Sequence, residues 1–165
     1  MTERTHEDSA ALLRGDHRPT RLVILGSTGS IGRQALDVVA KHPDRFEVVA
    51  LAAGSDANGL AQQAARFDVD RLALADPQAA DRLRLLVPDA CIGSGSGAIV
   101  ELAALDDVDV VLNALVGAAG LRASIATLEA GITLALANKE SLVVGGRFVM
   151  DIAAPGQLVP VDSEP

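Results

Sequence analysis

Gly26, Ser27, Thr28, Gly29, Ser30, Ile31 and Gly32 stand between a short apolar run and a helical stretch, in the spacing G-x-x-G-x-x-G. This pattern suits a phosphate. Gly26 lets the chain turn sharply out of a strand, Gly29 lets the backbone approach a pyrophosphate, and Gly32 lets the following helix pack close to the sheet. Thr28 and Ser30 add hydroxyl donors beside the N–H groups of the helix N-terminus. The standard fingerprint is G-x-G-x-x-G, so the spacing alone also fits a glycine turn that binds nothing. Its place inside a strand–loop–helix–strand unit favours a dinucleotide.

A second group of residues follows the second apolar run, where an acid would hold the ribose 2′-OH of NAD and repel a 2′-phosphate. That place reads Ala53, Gly54, Ser55, Asp56. Gly54 and Ser55 can fold around a phosphate, and Asp56 reads more readily as the cap of the next helix. These residues leave NADP and NAD both open. Taken alone, Asn138, Lys139 and Glu140 fit a helix cap and its exposed first turn, and Asp162, Ser163 and Glu164 a solvated chain end. The single Cys91 excludes an intramolecular disulfide and is expected to be a small buried hydrophobe. His6 and His17 lie in a polar tail without further ligands nearby, so they are read as surface residues.

These groups need a scaffold, and the apolar periodicity supplies one. Strands are expected at 22–25, 46–53, 71–75, 108–112, 132–136 and 158–161, and helices at 31–41, 58–67, from Pro77, at 98–105 and at 121–130. Residues 92–97 read as a glycine and serine loop, 117–120 as a tight connection, and 141–154 as a helix interrupted at Gly145 and Gly146. A short helical patch is expected around 10–13. Alternation this sustained predicts an α/β fold with a Rossmann-like, doubly wound, mostly parallel sheet and helices on both faces.

Composition agrees. With 165 residues, 49% hydrophobic and only 2% aromatic, the chain can bury one full-sized core built from Ala, Val, Leu and Ile. The expected organisation is a disordered tail over 1–20, a Rossmann domain over 21–155, and the start of a further domain over 156–165. A formal net charge of −8 gives no electrostatic footprint for nucleic acid or an anionic membrane. The first twenty residues hold no long apolar run, so no signal peptide or membrane helix is expected there, and the expected location is cytoplasmic.

Four segments together carry a resemblance. LGSTGSIG at 25–32, ALVGAAGL at 114–121, ALANKESLV at 135–143 and VPVDSE at 159–164 resemble, in that order, the signature segments of the 1-deoxy-D-xylulose 5-phosphate reductoisomerase family. The first is shared with many dehydrogenases; ANKESLV and VDSE are the specific ones. The resemblance implies NADPH-dependent conversion of 1-deoxy-D-xylulose 5-phosphate to 2-C-methyl-D-erythritol 4-phosphate, in non-mevalonate isoprenoid biosynthesis, with magnesium or manganese. It implies that Thr28, Gly29, Ser30 and Ile31 line the pyrophosphate and adenosine side, that Gly54, Ser55 and Asp56 meet the 2′-phosphate end, and that Asn138 and Glu140 contact the cofactor. Lys139, Ser163 and Glu164 would act on the sugar phosphate, and Asp162 and Glu164 would bind metal. Carboxylate oxygens suit a hard divalent cation, which would polarise substrate oxygens as a Lewis acid. Lys139 would add positive charge where an oxyanion develops.

The chain departs from the family pattern at Ser55 and Asp56, where a basic or amide residue is usual, and at Pro165, beyond which the pattern continues into a catalytic domain. It therefore reads as an N-terminal portion with little activity alone, from an enzyme that would be a homodimer. The alternative is a non-catalytic NADP(H)-binding regulatory module, which leaves the joint presence of Lys139, Asp162, Ser163 and Glu164 to coincidence. A dehydrogenase of the aspartate-semialdehyde or homoserine type shares the glycine loop but leaves VDSE unexplained.

Overall fold

In a computed structural model, which describes residues 18–137, 146–147 and 149–161, Val23, Ile24 and Leu25 are buried in succession. A strand buried on both faces must be covered on both, as in parallel sheets. The strands are β1 (Thr20–Leu25), β2 (Phe46–Ala53), β3 (Arg71–Leu74), β4 (Cys91–Ser94), β5 (Val110–Asn113), β6 (Thr133–Leu136) and β7 (Leu158–Pro160). They form one sheet in the order β4-β3-β2-β1-β5-β6-β7, and every pair is parallel. The helices are α1 (Ser30–Lys41), α2 (Ala57–Phe67), α3 (Pro77–Leu86), α4 (Gly95–Leu102) and α5 (Gly117–Glu129). The doubly wound expectation holds.

Alternate residues of the strands feed two cores. Ile24, Leu51, Leu72 and Leu74 pack with Leu36 and Val39 of α1, Leu60 of α2 and Leu83 of α3 on one face. Val23, Leu25, Ala50, Ala52 and Val111 pack with Ile99 of α4 and Ala123 of α5 on the other. A β-bulge between β1 and β2 pairs Leu22 with Val48 but Val23 with Ala50, so Val49 is the extra residue and joins Ala50 on the second face. A smaller cluster of Leu128, Leu134, Leu136 and Val149 lies under β6. Residues 146, 147 and 149–152 are helical, within the helix expected over 141–154.

Three expectations are corrected. The span read as a glycine and serine loop contains β4, which pairs with β3 from Arg71 opposite Cys91 to Leu74 opposite Ser94, and α4 begins at Gly95. Because β4 is the edge strand, Cys91 is exposed rather than buried. The connection expected at 117–120 is the first turn of α5. Of the tail expected over 1–20, Thr20 instead belongs to β1 and Arg18 bonds Asp109, while residues 1–17, with His6, His17 and the patch at 10–13, lie outside the described residues.

The N-terminal edge of the sheet is closed by charge. Asp109 accepts two bonds from the Arg18 guanidinium, at 2.9 and 2.7 Å, and one from the Arg21 backbone N–H at 2.8 Å. Asp107 accepts two bonds from Arg71, at 3.1 and 2.9 Å, and pairs with Arg21 Nη2 at 3.0 Å. The hydrogen bonds from Arg71 hold the Asp107 carboxyl below the usual aspartate range, and those from Arg18 do the same for Asp109. Three segments of chain, at β1, β3 and the approach to β5, are tied there.

Both outer strands are short. β4 has four residues and includes Gly93, and β7 has three and ends in Pro160.

Candidate dinucleotide site

The chain leaves β1 through Gly26, whose φ of +82° belongs to the left-handed region that glycine adopts without strain. The N–H groups of Gly26 and Ser27 both donate to Ala52 O, at 2.8 and 2.9 Å, which fastens the loop to β2. Gly29 N donates to Gly26 O at 3.1 Å, and the first helical bond runs from Arg33 N to Gly29 O at 3.0 Å. The N–H groups of Ser30, Ile31 and Gly32 thus stand ahead of the helical ladder. Gly29 is the cap of α1 and offers no side chain to them, and the first turn holds no acid. A Cβ on Gly32 would fall against Gly26 O and 2.5 Å from Ser27 Cα, so only glycine lets α1 start this close to the loop.

This opening lies at a topological switch point. From β1 the sheet grows through β2 to β4 on one side and through β5 to β7 on the other, and ligands of open α/β sheets bind outside the strand ends at such a point. The facing wall is the turn after β5. Ala114 N donates to Leu25 O at 2.9 Å, and a Cβ on Gly26 would come within 2.9 Å of Ala114 O, so the two loops touch. Val116, the cap of α5, likewise supplies no side-chain hydrogen bond and is 76% exposed.

Asn113 sets that second wall. Fully buried at the end of β5, it donates from Nδ2 to Gly120 O at 2.7 Å and Ser124 Oγ at 2.9 Å, and its Oδ1 accepts from Leu115 N at 3.1 Å. Two of these bonds tie the end of β5 to α5, and the third holds the turn through Leu115. Gly120 is required there, because a Cβ would meet Leu115 O at 2.7 Å. Gln63 of α2 plays the corresponding part for the glycine loop, donating from Nε2 to Ser27 O at 2.9 Å. Ser27 Oγ is buried and finds no partner among the described residues. Neither Asn113 nor Gln63 was singled out from sequence. Asn113 carries a usable signal, a polar residue closing an apolar strand just before a glycine-rich helix start, whereas Gln63 resembles any polar helical residue.

Of the residues expected at the site, Thr28 and Ile31 are half-buried and Gly29 and Ser30 exposed, all on the glycine loop or the first turn of α1. Gly54, Ser55 and Asp56 are exposed at the end of β2, on the same edge of the sheet. A Cβ on Gly54 would meet nothing within 4 Å, so packing within the protein does not demand glycine there. Asp56 caps α2, accepting from Gly59 N at 2.8 Å. Asn138, Lys139, Glu140, Asp162, Ser163 and Glu164 lie outside the described residues. Ala137 and Val161, which precede the two groups, both lie at the C-terminal edge, bonded to Asn113 O and Leu136 O. No group of three or more His, Cys, Asp or Glu among the described residues is placed to hold a metal ion. No helix of the described residues is long and apolar enough to cross a membrane.

A parallel doubly wound sheet with an uncapped, glycine-led helix at its switch point defines a Rossmann-type dinucleotide-binding domain. Residues 22–146 match the family model of 1-deoxy-D-xylulose 5-phosphate reductoisomerase, and the chain belongs to that family. It is 55% identical over 150 residues to the reductoisomerase of Rhodococcus jostii, covering 90% of this chain and 37% of that protein. Against the Mycobacterium tuberculosis enzyme the identity is 54% over 152 residues, covering 92% and 35%. The Zymomonas mobilis reductoisomerase solved with NADPH superposes with a TM-score of 0.81 at 34% identity, covering 88% of this chain and 39% of that one. A reductoisomerase solved with NADPH, fosmidomycin and magnesium gives 0.80 at 35% identity, covering 87% and 36%. The chain thus spans little more than a third of the length of these relatives.

Proposed function

We propose that this chain forms the NADPH-binding part of a reductoisomerase that converts 1-deoxy-D-xylulose 5-phosphate to 2-C-methyl-D-erythritol 4-phosphate. The observation that carries the reading is the uncapped N-terminus of α1 behind the glycine loop, at the switch point of the sheet. The N–H groups of Ser30 and Ile31 and the Thr28 hydroxyl would hold the pyrophosphate, with Gly29 giving it room. Gly54, Ser55 and Asp56 would face the far ribose. The turn fixed by Asn113 would close the opposite side. NADPH, when bound, supplies the hydride.

The remaining roles rest on family membership. Asn138 and Glu140 would contact the cofactor, and Lys139, Ser163 and Glu164 the substrate. Asp162 and Glu164 would be metal ligands; magnesium requires more ligands than two carboxylates provide, so others would come from elsewhere in the enzyme. In this reading the cofactor domain runs from β1 to β7, at 20–160, and the chain after it leads into the catalytic domain of a cytoplasmic homodimer.

The test is a titration of the 165-residue chain with NADPH, followed by enhancement of nicotinamide fluorescence. Saturable binding is expected. Gly29→Asp, which puts a carboxylate where the pyrophosphate would lie, should weaken it at least about tenfold, the scale of one charge-assisted hydrogen bond. Failure of the wild-type chain to bind NADPH would overturn the reading. Sugar phosphate and magnesium should elicit no NADPH oxidation from this polypeptide alone.

A further inference from the structure

The two ends of the dinucleotide cleft differ in how well they suit an anion. At the pyrophosphate end, α1 presents N–H groups that no side chain among the described residues caps. At the far ribose, the residues that would meet a 2′-phosphate lie between β2 and α2, and there the helix already has its anion. Asp56 Oδ1 accepts from Gly59 N at 2.8 Å, and the carboxylate is exposed. The neighbouring loop repeats the arrangement. Ala75 N and Asp76 N donate to Ala53 O and Gly54 O, both at 3.0 Å, which places the β3–α3 turn directly beside the β2–α2 turn. Asp76 caps α3 through Gln78 N at 2.9 Å. Two carboxylates therefore flank the end of β2. Neither turn, nor the first helical turn after each, contains a lysine or arginine: 52–65 and 72–81 hold none. Arg33, in the first turns of α1, is the nearest cation in sequence to the glycine loop and is not engaged in an ion pair among the described residues.

A 2′-phosphate carries about two negative charges at neutral pH and is normally met by arginine or lysine. A ribose 2′-OH, in contrast, is a donor that a carboxylate at the end of β2 accepts. Asp56 retains that capacity, because the cap engages Oδ1 while Oδ2 has lone pairs to spare. We propose that the Gly54–Ser55–Asp56 turn makes this chain weakly selective between the two dinucleotides, so that it takes NADH with an affinity within about tenfold of that for NADPH. Asp56 is the residue that sets the balance: its charge opposes the 2′-phosphate while its free oxygen accepts the 2′-OH. The inference rests on the dinucleotide reading above.

The experiment is a paired fluorescence titration of the chain with NADH and with NADPH, repeated on Asp56→Asn and Ser55→Arg. Asparagine is as good a helix cap as aspartate, so Asp56→Asn should keep the melting temperature while removing the charge. The expected result is two wild-type dissociation constants within about tenfold, with both variants tightening NADPH several-fold and leaving NADH unchanged or weaker. Wild-type preference for NADPH of about a hundredfold or more, traceable to Arg33 if Arg33→Gln removes it, would overturn the inference and leave the dinucleotide reading standing. Binding of neither dinucleotide would overturn both. An Asp56→Asn chain that melts as the wild type does and shows no gain in NADPH affinity would also overturn the role given to Asp56.

Discussion

The two edges of the sheet solve opposite problems. Along the N-terminal edge, Arg18, Arg21 and Arg71 pair with Asp107 and Asp109 until the guanidinium groups and carboxylates answer one another. Along the C-terminal edge at the switch point, α1 and α5 begin without a side-chain cap, and Ser27 Oγ is buried without a partner among the described residues. The first arrangement spends its polar groups on the fold. The second holds donors in place for something outside the protein, and the positions that keep it open are glycines and the buried amide of Asn113. Even along the C-terminal edge the division repeats, since α2 and α3 are capped by Asp56 and Asp76. Function on this sheet is marked by where local satisfaction is withheld.

The largest effect is expected where openness depends on bare backbone. Gly32→Ala would drive a methyl group into Gly26 and Ser27, and overpacking of this kind costs up to about 3 kcal/mol. Thermal melts should drop accordingly, with NADPH titration showing loss of binding. An alanine variant that melts and binds like the wild type would show that the close start of α1 is unimportant. Next comes Asn113→Ala, which removes the buried amide's bonds to Leu115 N, Gly120 O and Ser124 Oγ and should cost about 2 kcal/mol in urea denaturation. Dinucleotide affinity should fall as well, because the turn at 114–117 loses its anchor.

The N-terminal edge should respond least. Asp107→Asn removes exposed ion pairs, with the carboxylate side chain 42% accessible, so it should cost less than about 1 kcal/mol and leave nucleotide binding untouched. Its signature is in acid. Because the folded pKa values of Asp107 and Asp109 are lowered by their arginines, their contribution is complete above the ordinary aspartate value, about 3.9. It declines as pH falls below that value and is gone once pH passes the folded one. Stability measured against pH should therefore fall less steeply below about pH 4 in Asp107→Asn than in the wild type. A variant with an unchanged acid limb would remove this edge from the comparison.

Most of the scaffold was legible because periodicity and burial coincide: six of the described strands and the cores of α1 to α5 fall on the apolar runs that announce them. β4 was not, since Cys91, Ile92, Gly93 and Ser94 have no alternation and glycine weakens a strand. Its reason is tertiary. A Cβ on Gly93 would lie 2.5 Å from Ala98 Cβ, so the glycine that hides the strand also seats α4. The start of α5 was misplaced for the same cause, as Gly117 and Gly120 read as punctuation whereas Gly120 is a contact with Leu115. At the site, the glycine loop was visible because its spacing is local. The Asn113 network was not, because it joins a strand end to residues 120 and 124 and no single segment contains it.

The short outer strands have a bearing on how the domain behaves in concentrated solution. A sheet edge left bare recruits other edges, and long, flat apolar ones seed aggregation. Here one rim is four residues with a glycine in it, and the other is three residues closed by Pro160, which has no N–H to offer a neighbour. Neither rim gives an incoming strand enough ladder to grow on, so a sheet so rich in valine, leucine and alanine is guarded against edge-to-edge aggregation.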